Sequence, residues 1–227
     1  SMTYGSYLKL DALLDCQEPV SEGPEHDELL FIIIHQTYEL WFKQLLHELD
    51  ELQRRLDGDQ LPPADKTLKR ALTILKTLVS QVDILETMTP LEFQSFRDRL
   101  ESSSGHQSAQ FRELEFLLGA KREAVLQPFP AGSAERARLE KRLAHPSLWD
   151  SFLRLLSRRG FEVPAALLSR EVTQPTEADK TVQQSLIAMY EGDPALANLA
   201  ERYVDFDEGL QEWRYRHVMM VERTIGA

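Results

Sequence analysis

The stretch FIIIHQTYELWFKQLLHELD, from Phe31 to Asp50, is an apolar run interrupted by two histidines, His35 and His47. Its apolar side chains recur at steps of three and four residues, which is the spacing of one face of an α-helix. The same pattern continues to Leu56. The stretch therefore predicts one long amphipathic helix, and it raises the question of what the two imidazoles do.

Almost every other periodic segment also has helical spacing. The clearest local signal is T-P-L-E, from Thr89 to Glu92, which combines a capping box with proline at the first helical position. No segment of useful length alternates as a strand does. We therefore predict an all-α fold, a helical bundle in which residues 1–227 form a single domain. Besides 31–56, helices are predicted at about 65–87, 90–100, 111–117, 133–144, 146–158, 175–190 and 193–225, the last either continuous or broken once.

The composition restricts the function classes. The chain has 227 residues, 42% hydrophobic and 28% charged, as in ordinary soluble domains. A net charge of −11 argues against a nucleic acid or an acidic membrane surface as partner. A single cysteine, Cys16, excludes an intrachain disulfide and a Cys-rich metal site. Without a signal-like N-terminus or an apolar run of about 18 residues, we expect a cytoplasmic protein, with Ser1 before Met2 as a tag remnant.

The two histidines of the opening stretch cannot share a ligand. Twelve residues of α-helix correspond to about 1,200° of rotation and about 18 Å of rise, so the imidazoles point about 120° apart. His47 lies beside Lys43 and Glu48, which predicts an exposed side chain. His35 has apolar residues within one turn on both sides. It is therefore either a buried histidine with ordinary partners or a functional one.

Two further residues have both a purely structural and a functional interpretation. His217, in EWRYRHVMMVERTIG, shares a helical face with Trp213 and Val221, which suits a core histidine or an axial haem ligand. Spacing alone favours the core histidine. Arg97, in FRDRL, is either a surface arginine or a clamp for a carboxylate. The chain has no Gly-rich phosphate loop, no G-x-S-x-G and no H-E-x-x-H, so these sites are excluded.

Several long motifs together resemble one known family. YGSYLKLDALL, HDELLFIIIHQTYELWFKQLLHEL, ILETMTPLEFQSFRDRL, SSSGHQS and EWRYRHVMMVERTIG occur in the order and spacing of the tryptophan 2,3-dioxygenase family, from about Tyr4 to Gly226. The resemblance implies an all-helical homotetramer that binds haem b. It also implies insertion of both atoms of O2 across the indole C2–C3 bond of L-tryptophan, which gives N-formylkynurenine.

The resemblance also assigns roles to the site residues. His217 is expected to be the axial ligand of the haem iron, and His35 to be the catalytic histidine that accepts a hydrogen bond from the indole N–H. Phe31 is expected to pack on the indole ring, and Arg97 to pair with the substrate carboxylate. These roles agree with the chemistry, because a buried indole N–H needs an acceptor and a buried carboxylate needs a charge partner.

Other positions are assigned by the same motifs. Tyr4 and Tyr7, within an N-terminal segment of residues 1–22, are expected to reach the substrate site of a neighbouring subunit. The remaining expected site residues are Ser104 and Gly105 in the loop over the distal haem face, and Val82, Leu100 and His106 beside the haem.

The chain departs from the family pattern at three places. His106 replaces the aromatic residue of G-F-Q-S, and Val82 stands where the family has a bulky aromatic side chain. Beyond Ala227 the family continues into a G-T-G-G-S loop that closes over the substrate ammonium group. If that loop were absent, we would expect weak tryptophan binding, because the ammonium group would lose its partners.

These departures leave two alternatives open. One is a haem-dependent monooxygenase that acts on a substituted tryptophan or indole, with the imidazole of His106 hydrogen-bonded to the reacting oxygen. The other is a haem carrier or sensor without turnover, although such a protein needs neither His35 nor Arg97.

Overall fold

The computed structural model describes residues 2–100 and 108–226, and all regular structure within these ranges is helical. The all-α prediction is therefore confirmed for this part of the chain. The helices are α1 (Tyr4–Leu8), α2 (Leu10–Leu14), α3 (His26–Asp57), α4 (Leu61–Leu85), α5 (Pro90–Arg97), α6 (Ala109–Leu117), α7 (Ala134–Leu143), α8 (Leu148–Arg158), α9 (Ala165–Leu168), α10 (Lys180–Gly192) and α11 (Pro194–Ile225).

Local capping explains where most helices begin. The Thr89 hydroxyl accepts from the Glu92 N–H at 3.3 Å, and the Glu92 carboxylate accepts from the Thr89 N–H at 2.7 Å. This capping box starts α5, as predicted, and a 3₁₀ turn continues it over Asp98–Leu100. The capping side chains of Ser147 and Asp179 start α8 and α10 two and five residues after the predicted positions.

Other helix starts also differ from the predicted ones, and α3 begins at His26, five residues before the predicted start. α4 begins at Leu61, four residues early, because the two prolines after it fit a first turn whose N–H groups have no intrahelical partner. α11 is continuous over 32 residues. Gly209 within it lets α11 approach α4 closely, since a Cβ at this position would lie 2.8 Å from Cδ2 of Leu75.

The long helices α3, α4 and α11 pack around the main core, with α5, α6, α8 and α10 on its periphery. The apolar face of α3 predicted from the sequence lies in this core from Ile34 to Leu56. A second, smaller apolar cluster joins α6 to α7 and includes Phe116 and Leu139. No helix in the described ranges is long and apolar enough to cross a bilayer. The single-domain interpretation stays a prediction.

Candidate functional site

His35 lies on α3 with its imidazole largely buried, and the environment determines which nitrogen carries the proton. Nδ1 lies 2.7 Å from the carbonyl oxygen of Phe31, one turn earlier. A carbonyl oxygen only accepts, so Nδ1 is assigned as the donor and Nε2 keeps a free lone pair in the neutral ring. Burial lowers the pKa of His35, although the Phe31 carbonyl and the Glu39 carboxylate oppose this. The ring is therefore a neutral acceptor at physiological pH.

The Phe31 ring connects His35 to helix α5. Its centroid lies 4.1 Å from that of His35, 5.7 Å from that of Phe93 and 5.6 Å from that of Phe96. Phe93 and Phe96 are themselves buried and in edge contact with each other. The sequence motif LEFQSFRDRL thus places two aromatic anchors under Phe31, and they fix the end of α5 beside the His35 region.

Arg97 occupies the last residue of α5, four residues after Phe93 and so on nearly the same helical face. Its side chain is exposed. Within residues 2–100 and 108–226, no carboxylate lies within 4.0 Å of its guanidinium, whereas Arg142 and Arg170 are held in close ion pairs. The guanidinium of Arg97 is therefore not neutralised by an internal partner in the described part of the chain.

A continuous series of ring contacts links His35 to His217, the predicted axial ligand of the haem iron. The ring centroid of Tyr38 lies 6.5 Å from that of His35 and 6.0 Å from that of Trp213, and both contacts are edge to face. Trp213 then stacks on His217 with centroids 5.2 Å apart and planes 19° apart. Burial raises the pKa of Tyr38 to about 12, so its hydroxyl keeps its proton and donates to the Leu78 carbonyl at 3.3 Å.

The surroundings of His217 suit a haem-iron ligand. Its half-buried imidazole lies on α11 with Trp213 one turn before it and Met220 and Val221 one turn after it, all apolar. In the described ranges, no group of three or more His, Cys, Asp or Glu side chains is arranged to hold a metal ion. A haem iron needs a single protein imidazole because the porphyrin supplies four nitrogens. The single imidazole of His217 on an apolar helical face fits this requirement.

The structure places the other predicted residues as follows. Val82 is fully buried in the main core, and Leu100 is half-buried against it. Tyr4 and Tyr7 are 77% and 70% exposed on α1, away from any described core. His47 is exposed, as predicted. The positions Ser104, Gly105 and His106 lie outside the described residues.

Sequence reasoning did not single out the buried carboxylate that precedes Phe31 by three residues. Glu28 is 1% exposed and accepts from the N–H groups of Val20 and Ser21 at 2.7 and 3.1 Å and from the Ser21 hydroxyl. Burial opposes ionisation, but these bonds outweigh it and lower the pKa of Glu28. A Glu inside a first turn usually complements the helix dipole, so the sequence carried no signal for burial.

Two glutamines form similar bonds and were also missed. Gln36 donates to the Cys16 carbonyl at 2.7 Å and accepts from Gln17 at 2.7 Å. Gln110, in the first turn of α6, donates to the backbone carbonyl and the carboxylate of Glu39 at 2.8 and 2.7 Å. Together with Glu28, these side chains fasten the N-terminal segment and α6 to the part of α3 that carries His35.

Comparison with known proteins identifies the relatives of this chain. The family model for tryptophan 2,3-dioxygenase matches residues 1–129. A tryptophan 2,3-dioxygenase of Herpetosiphon aurantiacus is 58% identical over 226 residues, which cover all of this chain and 86% of that protein. Those of Anaeromyxobacter sp. (strain K) and Burkholderia pseudomallei (strain 668) are 56% and 47% identical, again over the whole chain and over 84% and 74% of their own lengths. The chain belongs to the tryptophan 2,3-dioxygenase family.

Proposed function

We propose that this protein is a haem-dependent dioxygenase that converts L-tryptophan and O2 into N-formylkynurenine. Identity of 47–58% over the whole of this chain to proteins named tryptophan 2,3-dioxygenase supports this reaction over the single-oxygen alternative. The observation that carries the proposal is the hydrogen bond between His35 and the Phe31 carbonyl. It leaves Nε2 as an acceptor beside an aromatic ring, which is what a buried indole N–H requires.

His35 is the proposed positioning group for the indole. An N–H removed from water without an acceptor costs about 1–3 kcal/mol, so a neutral Nε2 in reach favours an indole over a carbocyclic analogue. The Phe31 ring is in contact with the ring of Phe93, and its centroid lies 4.1 Å from that of His35. Because these contacts hold the Phe31 ring in place, it can pack on the indole. The two side chains together orient the C2–C3 bond.

Arg97 is the proposed partner of the substrate carboxylate. Its guanidinium offers a planar pair of donors, and it is not engaged in an ion pair with the described residues. It lies one turn beyond Phe93, and Phe93 contacts Phe31. An amino acid whose ring rests on Phe31 would therefore have its charged end close to α5.

His217 is the proposed axial ligand. When bound, haem supplies the iron at which O2 is activated. The ring of Trp213, parallel to the imidazole, limits rotation of His217, and the core around Trp213 keeps that ring in place. Val82 and Leu100 are proposed to contribute to the apolar wall on the haem side.

Tyr4 and Tyr7 are proposed to complete the site of a neighbouring subunit in a homotetramer. Their large exposure, shared with Leu14 at 71%, supports this because exposed aromatic and aliphatic clusters mark association surfaces. A particle mass of one chain in solution would contradict the tetramer. Tyr7→Ala in an otherwise intact tetramer is expected to raise KM for L-tryptophan.

The decisive test is the product mass after the reduced, haem-loaded protein reacts with L-tryptophan and ¹⁸O₂. Two labelled oxygens in a ring-opened product are expected. A product with one labelled oxygen would replace the proposal with the monooxygenase alternative. His217→Ala is expected to abolish the imidazole-ligated haem spectrum, whereas exposed His145→Ala leaves it unchanged. Haem retention without any product would favour a carrier.

A further inference from the structure

A buried carboxylate on α6 gathers three arginines. Glu115 is 2% exposed, and its Oε2 accepts from Nη1 of Arg112 at 2.7 Å. Its Oε1 is also buried and accepts no hydrogen bond from the described residues. Nη2 of Arg122 and Nη2 of Arg214 lie 3.7 and 3.8 Å from this oxygen, within ion-pair range but too far for a hydrogen bond. We call these four residues the Glu115 cluster.

The arginines of the Glu115 cluster carry more positive charge than the single carboxylate of Glu115 neutralises. One carboxylate faces three guanidinium groups, so two positive charges are in excess in a chain whose net charge is −11. The side chains of Arg122 and Arg214 are 58% and 45% exposed, so both can be reached by an anion from outside the core. A pair of carboxylates is the anion that matches both the charge and the fork geometry.

The cluster lies next to the turn of α11 that carries the proposed haem ligand. Arg214 directly follows Trp213, the ring that stacks on His217. Phe111, one turn before Glu115 on α6, contacts Trp213 with centroids 5.1 Å apart. The guanidinium of Arg112 lies over the Phe111 ring at 5.8 Å. Arg112 is thus linked to His217 through the rings of Phe111 and Trp213, and Arg214 lies on the same turn of α11 as Trp213.

We propose that Arg112, Arg122 and Arg214, gathered by Glu115, bind the two propionate carboxylates of the haem. This inference rests on the proposed function, which supplies the cofactor and its ligand His217. It assigns these arginines to cofactor retention, so they are positioning residues for the porphyrin and take no part in the oxygen chemistry. An alternative source of the anion is a small free carboxylate or phosphate from solution, and the test separates the two.

The test measures haem release. The protein is loaded with haem or with haem dimethyl ester, whose carboxylates carry no charge, and the rate of transfer to excess apomyoglobin is followed at the Soret band. We expect wild type to release the ester at least tenfold faster than haem. Arg214→Gln should speed release of haem about three- to tenfold and leave release of the ester unchanged, because a partly exposed charged contact is lost only with charged haem.

Arg138→Gln is the matched control. Arg138 pairs with buried Glu113 on the other face of α6 and is 49% exposed, close to the 45% of Arg214. Its release rates should equal those of wild type for both porphyrins. Arg214→Lys keeps the charge and should give a rate between wild type and Arg214→Gln, which guards against a variant that fails to fold.

Three results would overturn the inference. The first is equal release of haem and ester by wild type. The second is equal acceleration of both by Arg214→Gln, which indicates loosening of α11. The third is haem release that neither Arg214→Gln nor added phosphate or acetate changes, although phosphate or acetate binds the wild type and not Arg214→Gln, which indicates a site for free anions only. None of these affects the proposed reaction, whereas a wild type that retains no haem contradicts both.

Discussion

The carbonyl oxygen of Phe31 lies 2.7 Å from Nδ1 of His35, so the backbone of one proposed substrate residue fixes the tautomer of the other. This arrangement needs no additional residue, because an i, i+4 relationship on α3 supplies it. The acceptor role of Nε2 can therefore be tested by substitution of His35 alone.

The first prediction concerns the indole N–H. His35→Ala should lower kcat/KM for L-tryptophan about 10- to 100-fold, since the buried N–H loses its acceptor. With 1-methyl-L-tryptophan, which has no N–H, the same substitution should have little effect. Steady-state kinetics with both substrates measure the difference. His47→Ala, on an exposed face of the same helix, is the control; an equal loss with both substrates would contradict the assigned bond.

The second prediction concerns pH. Burial lowers the pKa of His35 below its ordinary value of 6.5, so the imidazole stays neutral into mildly acidic solution. As pH falls through this lowered pKa, Nε2 gains a proton and stops accepting, and kcat/KM for L-tryptophan should fall with it. Glu39→Gln removes a neighbouring negative charge and should move this acidic limb to still lower pH. If kcat/KM began to fall above pH 6.5, or if the fall persisted in His35→Gln, another group would control the pH dependence.

The third prediction concerns the buried carboxylate of Glu28. Its lowered pKa means that its contribution to stability is complete above about 4.5 and is lost as pH falls through the folded-state value. Glu28→Gln should destabilise the protein by about 1–3 kcal/mol at pH 7, because three donors lose a charged acceptor. Urea unfolding at pH 7 measures the loss. Exposed Glu18→Gln should change stability by less than about 0.5 kcal/mol.

Local features of the fold were predictable, and long-range ones were not. The apolar face of α3 and the Thr89 capping box depend on neighbours within a few residues, so the sequence pattern contained them. The contact of Tyr38 with Trp213 joins residues 175 positions apart, and no local periodicity encodes it. The starts of α8 and α10 were misplaced because the cap residue, not the nearest proline, sets the boundary.

The features of the candidate site also divide into those that could be predicted from the sequence and those that could not. The resemblance to a known family supplied residue identities such as His217 and Arg97, but not the environment of either residue. The ion pairs of Glu115 and the bonds of Glu28 depend on which charged side chains become buried, and charged residues on helices are usually exposed. Only the packing of α6 against α11 and of the N-terminal segment against α3 reveals them.

The fourth prediction concerns the contact between α11 and α4. Gly209→Ala adds a methyl group 2.8 Å from Cδ2 of Leu75, whose side chain is 2% exposed and has little room to move. Despite the better helix propensity of alanine, this substitution should destabilise by about 1–3 kcal/mol in urea unfolding. Gly192, at the end of α10, has no such neighbour, so Gly192→Ala should be neutral or slightly stabilising. Equal effects would show that α11 shifts without cost.

The fifth prediction concerns the substrate carboxylate. Arg97→Gln should raise KM for L-tryptophan about tenfold or more, because a desolvated carboxylate loses a bidentate charged partner. Binding of tryptamine, which lacks the carboxylate, should be unchanged by the same substitution, as measured by the spectral shift of the haem-loaded protein. Arg99→Gln, at another exposed arginine two residues later, should leave both affinities close to wild type. If Arg97→Gln weakened tryptamine as much as L-tryptophan, Arg97 would act through the packing of α5 and not through the carboxylate.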